Sequence, residues 1–289
     1  MKTFWDTEPL IGLAPMDGVT DAAFRYIVDT VGKPDLLLTE FVAVEGVTAG
    51  ATKLLEGFVY HKTQTPTIAQ IYGTEPEAFY KAALIVAELG FDGIDINMGC
   101  PDKSVSGRGA GAGLIRTPEL AQKIVRSVQQ AVQDWSEGQS MENAGIRPKV
   151  TDAVHTMIKK YQYTSTRQII PVSVKTRIGF DAPSIKEWIS YLLEVKPANI
   201  TVHGRTLKQK YTGFADWEQI GIAAATAKGT STYVMGNGDI KSKEEALQKI
   251  KQYGLHGVLI GRATFGNPWL FTGEEIDYKT RLKTGLEHC

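Results

Sequence analysis

A single cysteine opens a glycine-rich segment near the middle of the chain. The segment, INMGCPDKSVSGRGAGAGLI at residues 96–115, contains Cys100, one of only two cysteines in the 289 residues. Its later glycines, at positions 107, 109, 111 and 113, predict a conformationally free loop. A thiol on such a loop can donate a proton to a substrate or attack it as a nucleophile, and its pKa decides between the two. The alternative is that Cys100 is a small buried hydrophobic residue.

A second candidate group consists of two basic residues at the ends of apolar segments. Lys175 lies in PVSVKTRIG and His203 lies in ITVHGRT. A lysine in an otherwise apolar segment is costly unless it meets an anion, such as the electron-rich ring or ribityl oxygens of a flavin. His203 is either a hydrogen-bonded core imidazole or a donor to a cofactor or substrate, and its position one strand after Lys175 favours the donor. No group of His, Cys and Asp residues has the spacing of metal ligands, so we predict no metal.

Two glycine motifs near the end of the chain predict a phosphate site. GNGDI (236–240) and GRATFGNP (261–268) each follow an apolar run, and together they offer glycine amides and the side chain of Arg262. The pair therefore predicts a phosphorylated ligand or cofactor. The earlier GRGAGAG sequence does not fit a dinucleotide fingerprint, because it follows a Cys-Pro turn and lacks the acidic residue expected about twenty positions later.

These residues are distributed over eight short apolar runs, separated mostly by helix-like sequence. Near-continuous apolar runs are typical of strands in a parallel sheet that is covered on both faces. Eight such βα units predict an α/β fold, the (β/α)8 TIM barrel, with an open doubly wound sheet as the alternative. The runs are LIGLAP (10–15), DLLLTEF (35–41), TIAQIYG (67–73), GIDINMG (93–99), PVSVKTR (171–177), NITVHGR (199–205), TYVMGNG (232–238) and GVLIGRA (257–263).

Residues with reactive groups or special backbone requirements lie where these runs end. The C-termini of the strands form one rim of a barrel, and barrel active sites lie on that rim. We therefore expect the terminal residues of the runs to converge on one pocket. They are Pro15, Met16, Gln70, Asn97, Cys100, Lys175, Arg177, His203, Arg205, Asn237, Gly238, Asp239, Gly261 and Arg262.

The segments between the runs carry helix start signals. Thr74 with Glu77 predicts a capping box after the third run, and Ser242 with Glu245 predicts another after the seventh. After the fourth run, Thr117 is the predicted N-cap of a helix whose first residue is a proline.

One polar stretch does not fit a minimal barrel. It lies between the fourth helix and the fifth strand, at about residues 134–169, and it becomes mildly basic at Lys159, Lys160 and Arg167. One interpretation is that these cations add a surface facing the phosphates of a nucleic acid. The other is that the insert is a solvated addition to the side of the barrel.

The overall composition limits the classes of function. The formal net charge is zero and the pI is near 7.0, so a polyanionic partner would have to meet a local basic patch. Two cysteines cannot form a disulfide framework, which predicts a reducing, cytoplasmic location. The N-terminus MKTFWDTEPL has no apolar signal region, and no apolar run approaches the length of a membrane span, so no membrane association is expected.

Taken together, the motifs resemble those of the tRNA-dihydrouridine synthases, flavin-dependent enzymes that reduce uridines in tRNA. The resemblance covers residues 10–271 and implies a TIM barrel. It places an FMN-binding catalytic barrel at residues 1–270, with the insert inside it, and only a short start of the family's helical tRNA-binding domain at residues 271–289. The motifs that carry it, in the family's order, are LAPMDGVTDAAFR, TEF, AQIYG, DINMGCPDKSVSGRGAGAGLI, VSVKTRIGFD, TVHGRTLKQKY, GNGDI and IGRATFGNPWLF.

The resemblance also implies roles for individual residues. Cys100 would be the general acid, and Asn97, Arg177 and Arg205 would contact the target base. Gln70 would hydrogen-bond the flavin ring. The remaining cofactor contacts would be Pro15, Met16 and Asp17 against the flavin, Lys175 and His203 on the isoalloxazine and ribityl chain, and Asn237, Gly238, Asp239, Gly261 and Arg262 on the FMN phosphate.

The implied reaction couples a hydride transfer to a proton transfer. NADPH would reduce FMN, and the reduced flavin would deliver hydride to C6 of uracil while Cys100 donates a proton to C5. A uridine in folded tRNA has to leave its stack first, so the expected partners are tRNA and NADPH, and the protein is expected to act as a monomer. Two alternatives remain: an FMN barrel acting on a free small molecule, such as a dihydroorotate dehydrogenase or an ene-reductase, and a non-catalytic RNA-binding barrel.

Overall fold

Eight parallel strands form a closed barrel in the computed structural model, which describes residues 3–288. Each strand pairs with its neighbours in chain order, and the barrel closes where the first strand pairs with the eighth. Closure rules out the open doubly wound sheet. Seven of the predicted runs contain a strand in full, and the second strand extends two residues past its run, to Ala43. The strands are β1 (Leu10–Leu13), β2 (Leu37–Ala43), β3 (Thr67–Tyr72), β4 (Gly93–Met98), β5 (Val172–Arg177), β6 (Asn199–His203), β7 (Tyr233–Asn237) and β8 (Gly257–Ile260).

Helices alternate with the strands and cover the outside of the barrel. The three longest are α5, α6 and α3; α5 ends at the start of the predicted insert, and α6 lies within it. The α-helices of the described chain are α1 (Ala22–Ile27), α2 (Val44–Thr48), α3 (Pro76–Glu88), α4 (Lys103–Ser106), α5 (Pro118–Ser136), α6 (Pro148–Tyr161), α7 (Ile185–Leu193), α8 (Trp217–Ala227), α9 (Lys243–Tyr253) and α10 (Tyr278–His288).

Alternation along the strands builds two separate cores. Outward-facing residues such as Ile94, Ile96 and Val174 pack with the helices in the larger cluster. The smaller cluster comprises Trp5, Leu10, Ala14, Leu36, Leu38, Ile68, Met235 and Leu259. In β3 and β7 its members Ile68 and Met235 are followed two residues later by the polar Gln70 and Asn237. In these two strands the interior is therefore apolar toward the N-terminal end and polar toward the C-terminal end, whereas β5 and β6 already place the buried polar residues Ser173 and Asn199 near their beginnings.

The predicted helix starts are met in two cases out of three. Ser242 caps α9 by accepting the backbone N–H of Glu245, but the Glu245 carboxylate accepts the N–H of Lys241, so only half of this capping box forms. Helix α5 begins at Pro118 directly after its N-cap, Thr117. The Thr74 capping box is wrong, because α3 begins at Pro76 after the N-cap Glu75. The carboxylate of Glu45, in α2, accepts the N–H groups of Thr74 at 2.5 Å and Glu75 at 3.0 Å, so a side chain from another element satisfies these donors.

The insert packs onto the barrel through its aromatic and cationic side chains. Tyr163 is 4% exposed and stacks on Tyr60 at 4.5 Å between ring centroids. The Arg167 guanidinium donates to the backbone carbonyls of Trp135 at 2.7 Å and Gln139 at 2.6 Å. Arg167 therefore holds the insert together while its side chain stays partly exposed, and the phosphate-facing surface stays a prediction. Lys159 and Lys160 remain exposed in the last turn of α6, where the helix dipole favours cations.

The last described helix, α10, packs against α1 on the outside of the barrel. It lies in the segment predicted to begin a helical domain. Among the helices of residues 3–288, none combines the length and the apolar character needed to cross a bilayer.

Candidate functional site

A cleft of about 690 Å³ opens at the C-terminal ends of the strands. This volume is within the range of small-molecule and cofactor sites. Of the predicted site residues, all but Gln70 and Arg205 line it. The predicted lining residues are Pro15, Met16, Asp17, Asn97, Cys100, Lys175, Arg177, His203, Asn237, Gly238, Asp239, Gly261 and Arg262.

Cys100 is held in the cleft wall by its own backbone. The side-chain Oδ1 of Asn97 accepts the N–H of Cys100 at 2.9 Å and that of Gly99 at 3.1 Å, which forms the turn after β4. The N–H of Ala112 donates to the carbonyl of Cys100 at 3.1 Å. Burial is the largest cause that raises the pKa of the Cys100 thiol. The thiol is therefore protonated at neutral pH, which suits an acid better than a nucleophile.

The glycines after Cys100 allow close backbone packing. Gly111 has φ +55°, and a Cβ at this position would lie 2.9 Å from the carbonyl oxygen of Cys100. A Cβ on Gly113 would lie 2.8 Å from the carbonyl oxygen of Ser106. Both glycines are buried, and the short helix α4 and a 3-10 turn occupy most of the segment. The prediction of a free loop is corrected, since a side chain at Gly111 would push the segment away from Cys100 and one at Gly113 would push it away from Ser106.

A buried carboxylate that the sequence analysis missed lies beneath Cys100. Asp95 accepts from the Ser173 hydroxyl at 2.6 Å and from Gln70 Nε2 at 2.7 Å. Gln70 Oε1 in turn accepts from Asn97 Nδ2 at 2.9 Å. An ionised carboxylate only accepts hydrogen bonds, so Asp95 fixes the orientation of both amides and leaves Asn97 Oδ1 facing the N–H of Cys100. Burial raises the pKa of Asp95 to about 6, and the group is mostly ionised at neutral pH.

Gln70 consequently lies below the cleft and not in its wall. Its side chain is fully buried, and both ends of the amide are used by Asp95 and Asn97. The spacing of Asp95 and Asn97, two residues apart on one strand, is the signal that would have placed both carboxylate and amide inside the barrel.

Lys175 and His203 form the cationic part of the cleft. Lys175 Nζ donates to Asn237 Oδ1 at 3.0 Å, and Asn237 Nδ2 donates to the carbonyl of Leu259 at 2.8 Å. Burial, with the neighbouring charge of Arg177, lowers the pKa of Lys175 to about 8. The ammonium group is therefore still protonated at neutral pH and poised to meet an anion.

His203 is neutral at physiological pH. Burial, followed by the charges of Arg177 and Lys175, lowers the pKa of His203 well below its ordinary value. Arg205 Nη1 lies 3.4 Å from His203 Nε2. A guanidinium only donates, so Nε2 is the acceptor and Nδ1 carries the proton. His203 can thus donate one hydrogen bond to a ligand.

Asp239 joins two arginines at the edge of the cleft. Its carboxylate accepts from Arg205 Nη2 at 2.7 and 2.9 Å and from Arg262 Nη2 at 2.9 Å. It also accepts the N–H of Ala215 at 2.8 Å. Burial alone would raise the pKa of Asp239, but the Ala215 N–H and the two guanidinium groups outweigh it and lower the pKa.

The two arginines predicted to contact the base, Arg177 and Arg205, donate hydrogen bonds to backbone carbonyls. Arg205 is 2% exposed and donates to the carbonyls of Thr212 at 3.3 Å and Gly213 at 2.6 Å. Arg177 lines the cleft, but it donates to the carbonyls of Gly99 at 2.6 Å, Thr206 at 3.0 Å and Lys210 at 3.0 Å. Arg177 and Arg205 therefore hold the cleft walls in place.

Sequence reasoning missed several other wall residues. All of them except Phe41, which lies within β2, are placed one or more residues past a strand end, where no strand pattern points to them. They are Phe41, Asp102, Lys103, Lys210, Tyr211 and Phe265. Among the described residues no group of three or more His, Cys, Asp or Glu side chains is arranged to hold a metal ion.

Comparisons with known proteins match nearly the whole chain. The family model described as dihydrouridine synthase matches residues 12–136 and 147–285, leaving out a stretch between α5 and α6. The chain is 32% identical over 293 residues to the probable tRNA-dihydrouridine synthase of Staphylococcus epidermidis, covering 99% of this chain and 78% of that protein. It is 32% identical over 287 residues to the probable tRNA-dihydrouridine synthase 2 of Bacillus subtilis, covering 97% and 77% respectively.

A solved structure shares the barrel architecture. The DHODH of Eimeria tenella, in complex with ferulenol, superposes with a TM-score of 0.58 over 96% of this chain and 81% of that chain. The sequence identity is 12%, so the likeness concerns the fold.

Proposed function

The chain belongs to the dihydrouridine synthase family, and from this premise we propose that it reduces uridines in tRNA to 5,6-dihydrouridine, with FMN as the bound cofactor and NADPH as its reductant. The observation that carries the proposal is the Cys100 thiol, which is protonated and fixed in the wall of a cleft that also holds Lys175 and Arg262. A proton donor beside a cationic cleft is what a reductive addition of hydride and proton to an anionic substrate requires.

The residues of the cleft fit FMN. Lys175 offers a charged donor and His203 a neutral one, which suit the ring and ribityl oxygens. Gly238 has φ +132°, and a Cβ there would lie 2.6 Å from the Cβ of Ala215, so the backbone approaches closely at this edge. Arg262, whose side chain is 56% exposed, and the backbone of Gly238 and Gly261 would hold the phosphate.

Asp239 has a different role from a phosphate ligand in this proposal. A carboxylate repels a phosphate, whereas the contacts of Asp239 with Arg205 and Arg262 orient both guanidinium groups. The walls of the cofactor site would be completed by Pro15, Met16, Asp17 and Asn237.

FMN held by these residues would supply the hydride for C6 of the uracil ring, with NADPH as its reductant. The Cys100 thiol donates the proton that C5 receives, and its raised pKa keeps this proton available at neutral pH. Asn97 positions Cys100 by holding two N–H groups of the turn, and Gln70 acts through Asn97. Arg177 forms the wall beside the target base, and its hydrogen bonds to three carbonyls keep this wall rigid.

We infer that residues 1–270 carry this activity as a monomeric barrel. The target uridine leaves its stack in the tRNA to enter the cleft.

The proposal is tested by the visible spectrum of the purified protein during sequential anaerobic additions. With FMN bound, NADPH should bleach the flavin band, and unmodified tRNA should restore it while dihydrouridine appears in the digested RNA by mass spectrometry. Bleaching without restoration by any unmodified tRNA would overturn the tRNA substrate, and the lack of a flavin band after FMN addition would overturn the cofactor.

A further inference from the structure

We propose that the loop between β6 and α8, residues 206–215, is a preorganised platform on which the rings of Tyr211 and Phe214 stack nucleotides of the tRNA that flank the target uridine. The inference rests on the proposed function and adds the surface that holds the RNA outside the cleft. This segment, the 206–215 loop, borders the cleft through Lys210 and Tyr211.

The two rings are unusually exposed. Phe214 is 88% exposed and Tyr211 is 65% exposed, the two largest values among the aromatic side chains that the structure describes. Within residues 3–288 neither ring packs against another aromatic ring or lies under a cation. An exposed phenylalanine keeps apolar surface in water, and neighbouring exposed rings next to a cleft are typical of a binding surface.

The backbone beside each ring is pinned from within the protein. Arg177 Nη1 donates to the carbonyl of Lys210, directly before Tyr211, at 3.0 Å. Arg205 donates to the carbonyls of Thr212 and Gly213, the two residues that separate Tyr211 from Phe214, at 3.3 and 2.6 Å. The N–H of Ala215, directly after Phe214, donates to Asp239 at 2.8 Å.

Buried cations are a costly way to hold an ordinary surface loop. Arg177 and Arg205 are 3% and 2% exposed, and each gives at least two of its hydrogen bonds to the 206–215 loop. A rigid backbone lowers the conformational entropy that a binding surface loses when a ligand orders it. The arrangement is therefore that of a loop built to present its two rings in one fixed conformation.

The charges around the loop suit RNA. Lys208 and Lys210 are exposed on the loop, and Lys103 also lines the cleft, whose acidic lining residues are Asp17, Asp102 and Asp239. This basic patch lies at the mouth of the cleft in a chain whose formal net charge is zero. Phosphate contacts from lysines together with base stacking on aromatic rings are the usual combination for single-stranded RNA.

The loop is continuous with the cleft. Tyr211 and Lys210 belong to the cleft wall, whereas Phe214 lies three residues further along, outside it. A uridine that enters the cleft leaves its neighbours in the strand at the mouth with unstacked faces. The rings of the loop replace the lost stacking, so we expect the nucleotides that flank the target uridine to bind this surface.

The test compares Tyr211→Ala, Phe214→Ala and the double variant with Tyr191→Ala, which removes a ring that is 41% exposed on α7. Affinity for unmodified tRNA is measured by fluorescence anisotropy, and KM and kcat for dihydrouridine formation are measured separately. We expect roughly tenfold weaker binding and higher KM for each platform ring removed, with the larger effect on KM than on kcat. Tyr191→Ala should match the wild type.

Two further variants separate stacking from other effects. Tyr211→Trp and Phe214→Trp keep a ring and should retain most of the affinity, whereas Lys208→Gln with Lys210→Gln should reduce the salt dependence of binding without abolishing stacking. Both rings are exposed, so all ring variants should unfold at the temperature of the wild type.

Several outcomes would overturn the platform. Unchanged affinity and KM in the double variant would do so, as would equal losses in Tyr191→Ala or no measurable binding of tRNA by the wild type. If the wild type makes no dihydrouridine but its affinity for tRNA still falls when the rings are removed, the proposed activity fails while the platform stands. If dihydrouridine forms at wild-type efficiency without the rings, the proposed activity stands while the platform fails.

Discussion

The Oδ1 atom of Asn97 accepts the backbone N–H of Cys100 at 2.9 Å, and this bond ties the proposed acid to the interior of the barrel. Asn97 is oriented by Gln70, and Gln70 is oriented by Asp95. The position of the thiol therefore depends on a carboxylate that never faces the cleft.

Replacing Cys100 by serine should remove most of the activity. A serine hydroxyl has nearly the size of the thiol but is a far weaker acid, so the rate of dihydrouridine formation should fall roughly 100- to 10,000-fold. The measurement is a single turnover of prereduced protein with excess tRNA, followed through the flavin band and the product. Wild-type rates in Cys100→Ser would assign the proton to another group.

Replacing Asp95 by asparagine should change how stability depends on pH. The pKa of Asp95 is raised to about 6 in the folded protein, so the folded state binds this proton more readily than the unfolded chain. Above about pH 6 the ionised carboxylate therefore lowers the free energy of unfolding, by an amount on the order of 3 kcal/mol. This loss disappears as the pH falls toward 4, where the carboxyl is protonated in the folded and, increasingly, in the unfolded state. Urea unfolding between pH 4 and 7 gives the free energy of unfolding of the wild type and of Asp95→Asn. The wild-type value minus the variant value should fall with rising pH and then level off.

The same substitution should also slow the reaction. An asparagine at position 95 has one acceptor oxygen where the carboxylate has two, so it cannot accept from both Gln70 and Ser173, and a Gln70 that turns over to meet its Nδ2 no longer accepts from Asn97. Ser173→Ala is the matched control, because it removes a donor to Asp95 but leaves the direction of the amides unchanged. Equal rates in Asp95→Asn and the wild type would show that the orientation of these amides does not matter for Cys100.

Replacing Gly111 by alanine should displace Cys100. The new Cβ would lie 2.9 Å from the carbonyl oxygen and 3.1 Å from the Cβ of Cys100. A left-handed φ adds roughly 1–2 kcal/mol of strain to any such replacement. We expect a loss of both stability and turnover, measured by thermal unfolding and by steady-state kinetics.

Gly254→Ala provides the control for backbone strain. Gly254 has φ +62°, similar to the +55° of Gly111, but a Cβ there meets no atom within 4 Å. Gly254→Ala should lose only the part of the stability that comes from backbone strain, with unchanged turnover. If both variants lose turnover equally, the contact with Cys100 is not the cause.

The affinity for FMN should fall as the pH rises above 8. The pKa of Lys175 is lowered to about 8 in the protein without ligand, so this cation is lost as the pH rises through that value. If FMN binds only the protonated form, its dissociation constant should increase by about tenfold per pH unit above 8. Flavin fluorescence titrations between pH 7 and 9.5 measure this.

Lys175→Met should bind FMN weakly at every pH and show no such slope. Lys186→Met, on the exposed face of α7, is the control and should keep the wild-type profile. A slope that persists in Lys175→Met would assign the titration to a different group.

Much of this architecture follows from local sequence patterns. Apolar runs bounded by glycine and proline predicted all eight strands, because a strand covered on both faces needs apolar residues in succession. Residues at the strand ends, such as Lys175 and His203, reached the cleft because parallel strands share one C-terminal rim.

The rest depends on contacts between strands that no single run contains. Asp95 sits in an apolar run, and only its partners on β3 and β5 show why a carboxylate is tolerated there. Arg205 follows His203 in sequence, yet its side chain turns toward the backbone of the loop that follows it and toward Asp239, after β7. The direction of an arginine or glutamine side chain is set by the nearest acceptors, and these come from elsewhere in the fold.

The hydrogen bonds that link Asp95, Gln70 and Asn97 also favour the correct strand register in the barrel. Gln70 lies opposite Asp95 in the β3–β4 pair, and Asp95 lies opposite Ser173 in the β4–β5 pair. A slip of one residue between these strands would turn each side chain to the other face and leave a buried carboxylate without donors. Misaligned barrels are thus penalised at the same place where the thiol is positioned, so a chain that folds with the wrong register loses stability and reactivity together.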